Sequence, residues 1–148
     1  MSEVHYTRLG KDDLELARQI IVTIAEVFGE PYARVSHSYL ENLLSRPDFW
    51  IIAALDGDKA VGGLSAYTLT MTRTESAEVF IYDLAVREDQ QRRGIGRGLM
   101  GALIEAARAE GIETVFVPAD NEDLHALEFY RAVGGAPQPV TFFNFGAD

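Results

Sequence analysis

The period of the apolar positions changes several times along the chain, and each change predicts an element. "VHYTRL" alternates as a short strand should, and "GKDDLELARQIIVTIAEVF" follows with an acidic first turn. Its apolar residues Leu14, Ala17, Ile20, Ile21, Ile24, Val27 and Phe28 recur at helical spacing. "GEPYARVS" interrupts the helix, and "HSYLENLLS" predicts a shorter one that ends before Pro47, because the residue before a proline avoids helical angles. "FWIIAAL", "DGDK" and "AVGGLSAYTLT" predict an antiparallel hairpin turning at Asp56 and Gly57, with Gly62 and Gly63 marking a bulge or a close approach. From Val79 onward "AEVFIYDLAV" is apolar on both faces except at Asp83, the pattern of a central, covered strand. Ile95, Leu99, Ala102, Leu103, Ala106 and Ala107 then predict a helix that stops near Gly111. "TVFVPA" predicts a strand, and Asp123 heads a helix running to about Val133 and closed by Gly134 and Gly135. "VTFFNF" predicts a last strand. The order is mixed α/β, without repeats or an internal linker, and predicts a single domain over residues 1–148.

Composition narrows the partners. With 148 residues and 47% hydrophobic content, the chain has the material for one buried core. Against 13 basic residues stand 23 acidic ones, a formal charge of -10. That balance opposes non-specific binding to nucleic acid or an anionic membrane and suits a cationic small molecule. There is no cysteine, so disulfides, thiolate metal sites and a cysteine nucleophile are excluded. His5, His37 and His125 show no metal-ligand spacing, Trp50 reads as core, and no metal is expected. The opening "MSEVHYTRLG" does not pair a basic region with an apolar stretch, and no run approaches membrane-spanning length. The expectation is a soluble, cytoplasmic protein.

"REDQQRRGIGRGLM" concentrates four arginines and three glycines at the start of a helix. Backbone N–H groups there lack intrahelical partners, and the helix dipole adds partial positive charge, so the passage predicts an anion site. A P-loop needs Lys followed by Ser or Thr after its last glycine, and the dinucleotide fingerprint needs a third glycine where Leu99 stands. Neither pattern is met.

What remains is "QRRGIG", Gln91 to Gly96, after a strand and a short polar linker. It resembles the acetyl-CoA pyrophosphate loop of the GCN5-related N-acetyltransferases. "DLHALEFYRAVGG" resembles the same family's later segment through Asp123, Ala126, Phe129, Tyr130 and Gly134, departing from it at Asp123, where many members carry Asn, and at Gly135, where many carry an aromatic. A narrower likeness, to the type I aminoglycoside 3-N-acetyltransferases, runs through "RLG", "YLENLL", "AVGGLSAY", "IYDLAV" and "ADNEDLHALEFY". The resemblance implies a mixed, mostly antiparallel α/β (α+β) sheet of about six or seven strands flanked by about four helices, its strands splayed near the middle to admit acetyl-CoA. It also implies a polycationic aminosugar acceptor, gentamicin-like, acetylated on the 3-amino group of its deoxystreptamine ring, and hence antibiotic resistance. Domains of this family often dimerise, with "VTFFNF" as a contributor or as part of the sheet core.

Amide formation from acetyl-CoA needs a positioned neutral amine, stabilisation of an oxyanion and a proton for the departing thiolate. An unpaired carboxylate in an apolar strand is costly, so Asp83 should face a polar cavity or a partner. The resemblance makes Asp83 the ligand of the substrate amine and a candidate base; a carboxylate satisfied by a strand bulge is the other reading. Tyr130 matches the family's candidate acid, or is core with its hydroxyl satisfied. Backbone groups of Leu84, Ala85 and Val86 are expected to meet the pantetheine arm. Gln91, Arg92, Arg93, Gly94, Ile95, Gly96 and Arg97 are expected around the pyrophosphate, although any of the arginines can be solvated. Asp120, Glu122 and Asp123 are candidates for the polycation, with helix capping the alternative for Asp123. Glu30 and Tyr32 are candidates for the other side of the acceptor. A polyamine or another small amine is the second acceptor reading, and a non-catalytic acetyl-CoA-binding module is the reading from another class. Retention of both Asp83 and Tyr130 weighs against the last, since a binder needs neither.

Overall fold

The computed structural model describes residues 3–146 and divides into two compact units, Met1–Pro118 and Ala119–Asp148. The first holds a five-stranded sheet in the order β1 (Val4–Arg8), β2 (Phe49–Asp56), β3 (Lys59–Thr70), β4 (Ala77–Val86) and β5 (Thr114–Phe116). The first four strands are antiparallel to their neighbours, and β5 runs parallel to β4. Helices α1 (Leu14–Val27), α2 (His37–Ser45) and α3 (Ile95–Ala109) complete the unit. No helix among the described residues is long and apolar enough to cross a membrane.

Two adjacent glycines show how the layers meet. A Cβ on Gly63 would lie 2.5 Å from Ile20 Cγ2 of α1, whereas one on Gly62 would lie 3.4 Å from Ile95 Cγ2 of α3. Consecutive strand residues point to opposite faces, so α1 and α3 cover opposite sides of the sheet. On the α1 and α2 side, Ala17, Ile20, Leu40 and Leu44 bury against Phe49, Ile51 and Ala53. Trp50 and Ile52 alternate with these, fully buried on the α3 side. Both readings of the glycine pair hold, since the β2–β3 register also shifts beside Gly62, leaving Val61 unpaired opposite Ala54 and Leu55. The hairpin turn is Gly57 and Asp58, with Gly57 at φ 65°.

In the second unit α4 (Leu124–Ala132) starts at Asp123, whose side chain accepts from the Ala126 N–H at 3.1 Å. Gly134, at φ 101°, ends the helix, and the Gly135 N–H donates back to the Tyr130 carbonyl. The predicted strands need two corrections. Residues 140–145 form no strand: a strand needs a hydrogen-bonding partner, the described residues of this unit contain none, and Phe145 is 90% exposed. "TVFVPA" pairs only as far as Phe116, just before Pro118, which has no N–H to donate. The sheet therefore has five strands rather than six or seven, with four α-helices among the described residues.

Candidate active site

The parallel pair that closes the sheet is short. Glu78, Val79 and Phe80 of β4 pair with Thr114, Val115 and Phe116, and β4 then continues to Val86 without β5. Orientation along this open stretch follows from one bond: the Arg87 N–H donates to the Val61 carbonyl, towards β3. Antiparallel pairing alternates, so the main-chain groups of Ala85 and Asp83 also turn to β3, and those of Leu84 and Val86 turn to the open edge. Of the three residues expected along the pantetheine arm, Leu84 and Val86 thus offer free-edge groups and Ala85 does not. The Val86 carbonyl accepts from Gln91 Nε2 at 3.2 Å.

That bond anchors the arginine and glycine passage to the strand. After one turn of 3-10 helix, Glu88–Gln90, the chain takes left-handed angles at Arg92 (φ 70°) and at Gly94 (φ 76°), the residue preceding α3. Gly94 provides no side-chain cap, and the first bond of the helix is Gly98 N–H to the Gly94 carbonyl. The amides of Ile95, Gly96 and Arg97 therefore have no acceptor within the helix. Ile95 buries its side chain beneath that end. Arg92, Arg93 and Arg97 are all exposed, and Arg93 Nη1 donates to Asp56 Oδ2 at 3.2 Å and to Gln90 Oε1 at 2.6 Å.

Asp83 pairs with Ser65 and shares the face of Ser65 and Tyr67, the α1 and α2 side. Its carboxyl is half-buried and, among the described residues, meets no hydrogen-bond donor; the bulge does not satisfy it. Its pKa is raised, first by burial and then by the negative charge of Glu30 in the loop after α1. The structure thus brings Asp83 and Glu30 into electrostatic reach, with Tyr32 partly buried in the same loop. Tyr82, which the sequence reading did not single out, belongs beside them. The register skips it between Ser65 opposite Asp83 and Ala66 opposite Ile81, and its ring stands 6.2 Å from that of Tyr67. Its position next to Asp83 in "IYDLAV" was the available signal.

The remaining candidates lie in the second unit. Asp123 caps α4, and Asp120 Oδ1 accepts from the Glu122 N–H at 2.9 Å, so both carboxylates are engaged by backbone. Glu122 is exposed, and Tyr130 is partly buried with its ring 5.1 Å from that of Phe129.

Residues 17–134 match the acetyltransferase (GNAT) family. The aminoglycoside acetyltransferase meta-AAC0020 from an uncultured soil metagenomic sample, solved in complex with sisomicin, is 34% identical. It superposes with a TM-score of 0.94 over 98% of this chain and 97% of that one. The aminoglycoside acetyltransferase HMB0005, from a similar source, is 32% identical with a TM-score of 0.93 over 99% of both chains. The uncharacterized N-acetyltransferase YvbK of Bacillus subtilis strain 168 is 33% identical over 84 residues, 57% of this chain. The match spans about half of that curated relative, 51% of its length.

Proposed function

Since the chain belongs to the acetyltransferase (GNAT) family, we propose that it transfers an acetyl group from acetyl-CoA to an aminoglycoside, on the 3-amino group of the deoxystreptamine ring. The observation that carries this reading is Asp83: a half-buried carboxyl without a donor among the described residues, facing the α1 and α2 side beside an open strand edge. The likeness to two aminoglycoside acetyltransferases over nearly the whole chain supports it.

The residues fit the co-substrate. The uncapped start of α3 and the exposed Arg92 and Arg97 suit the pyrophosphate, and the outward groups of Leu84 and Val86 suit the pantetheine amides as an added strand would. Bound there, acetyl-CoA supplies the activated acetyl group. Arg93, proposed for the same anion, also braces the loop against the β2–β3 turn. Asp83 holds the acceptor ammonium, and its raised pKa narrows the gap to the amine from which a proton must leave. Tyr130 is proposed as the acid for the thiolate, and Tyr130→Phe slows transfer less than loss of Asp83 if water substitutes.

The test is thiol release from acetyl-CoA against gentamicin, kanamycin, spermidine and a peptide with a free N-terminus, with the acetylated nitrogen located by NMR. Turnover of gentamicin at the 3-amine is expected. Turnover of spermidine or peptide alone would transfer the same chemistry to another acceptor.

A further inference from the structure

A bulge places two consecutive side chains of β4 on one face. In an unbroken strand Tyr82 and Asp83 would point to opposite sides, but the register skips Tyr82. Its ring meets Tyr67 edge-on at 6.2 Å and 73°, and Phe80 at 6.0 Å, which puts it on the face that Asp83 shares with Ser65 and Tyr67. Tyr82 remains 64% exposed although it stands on a central strand. The ring is nevertheless held. Tyr67 packs on buried Phe49 at 5.3 Å, and Phe80 stacks on Phe116 at 5.2 Å with the planes 8° apart, so an aromatic row spans β2 to β5 beneath it.

Resting on the function proposed above, we propose that Tyr82 is a specificity residue of the acceptor site, a fixed shelf that takes the ring face of an aminosugar while Asp83 holds its ammonium. A supported aromatic face offers two attractions to such a ligand: apolar contact with the C–H face of a sugar, and a quadrupole for a neighbouring ammonium. Asp83 and Glu30 supply the negative charge on the same side. A rigid ring bearing amines uses the shelf and the carboxylates together. A linear polyamine has no ring face to lay on the shelf and depends on the charge alone.

The experiment compares wild type, Tyr82→Phe and Tyr82→Ala in the full chain, measuring gentamicin affinity by calorimetry and steady-state constants for gentamicin and spermidine. The ring is mostly exposed, so truncation leaves little cavity, and an unchanged Tm verifies that the variants are folded. The expected result is a rise of about tenfold in gentamicin Kd and KM for Tyr82→Ala, with a matching fall in the preference for gentamicin over spermidine in kcat/KM. Tyr82→Phe keeps the ring and should remain near wild type. Equal gentamicin affinity in all three, with turnover retained, overturns this inference alone. A wild type that neither binds nor acetylates gentamicin overturns the proposed function and this inference with it.

Discussion

Arg93 and Asp56, 37 positions apart, form an ion pair of 3.2 Å that ties the arginine and glycine loop to the β2–β3 turn. Both side chains are partly exposed, so the pair is worth about 1 kcal/mol at most. Asp56→Asn is therefore expected to raise the KM for acetyl-CoA by up to about fivefold and to leave kcat nearly unchanged. Steady-state kinetics at low salt would check this, and the difference should shrink as salt screens the wild-type pair.

Gly94 holds φ 76° where α3 begins, and a Cβ there would meet nothing within 4 Å among the described residues. The cost of a side chain is thus one of backbone conformation. Gly94→Ala should lower stability by about 1 kcal/mol and Tm by about 2–4 °C. Arg92 occupies the same left-handed region, so Arg92→Gly should move Tm in the opposite direction. Thermal denaturation of both variants gives the two signs.

At Gly63 the obstacle is steric, because Ile20 lies where a Cβ would go. Gly63→Ala should destabilise the fold by about 1–3 kcal/mol through overpacking between α1 and β3. Denaturant unfolding should show a lower midpoint with an unchanged slope.

Burial raises the pKa of Asp83 in the folded protein, with Glu30 adding to the shift. Relative to the unfolded chain, the folded state then favours the protonated carboxyl, so stability falls as pH rises through the interval from the unfolded to the folded pKa. Neutral asparagine escapes this loss. Asp83→Asn is expected to have a higher Tm than wild type at neutral pH, with the advantage disappearing in acid below the unfolded pKa.

These residues also mark what the sequence made legible. The apolar run around a single mid-strand carboxylate placed β4 and singled out Asp83, and the glycines at 57, 62 and 63 announced the turn and the approaches of α1 and α3. Local pattern sufficed because each signal depends on neighbours in the chain. Tyr82 escaped because strand parity fails at a bulge, and the bulge depends on pairing with β3. The Arg93–Asp56 pair escaped because the two residues are remote in sequence. "VTFFNF" has strand composition, but no paired strand forms within its own unit.

The most direct test of the central claim, that Asp83 receives the acceptor amine, is gentamicin-dependent thiol release by Asp83→Asn alongside its affinity for acetyl-CoA. Unchanged coenzyme affinity and turnover reduced by about a hundredfold or more are expected. Turnover at the wild-type rate would contradict that claim and remove Asp83 from the mechanism.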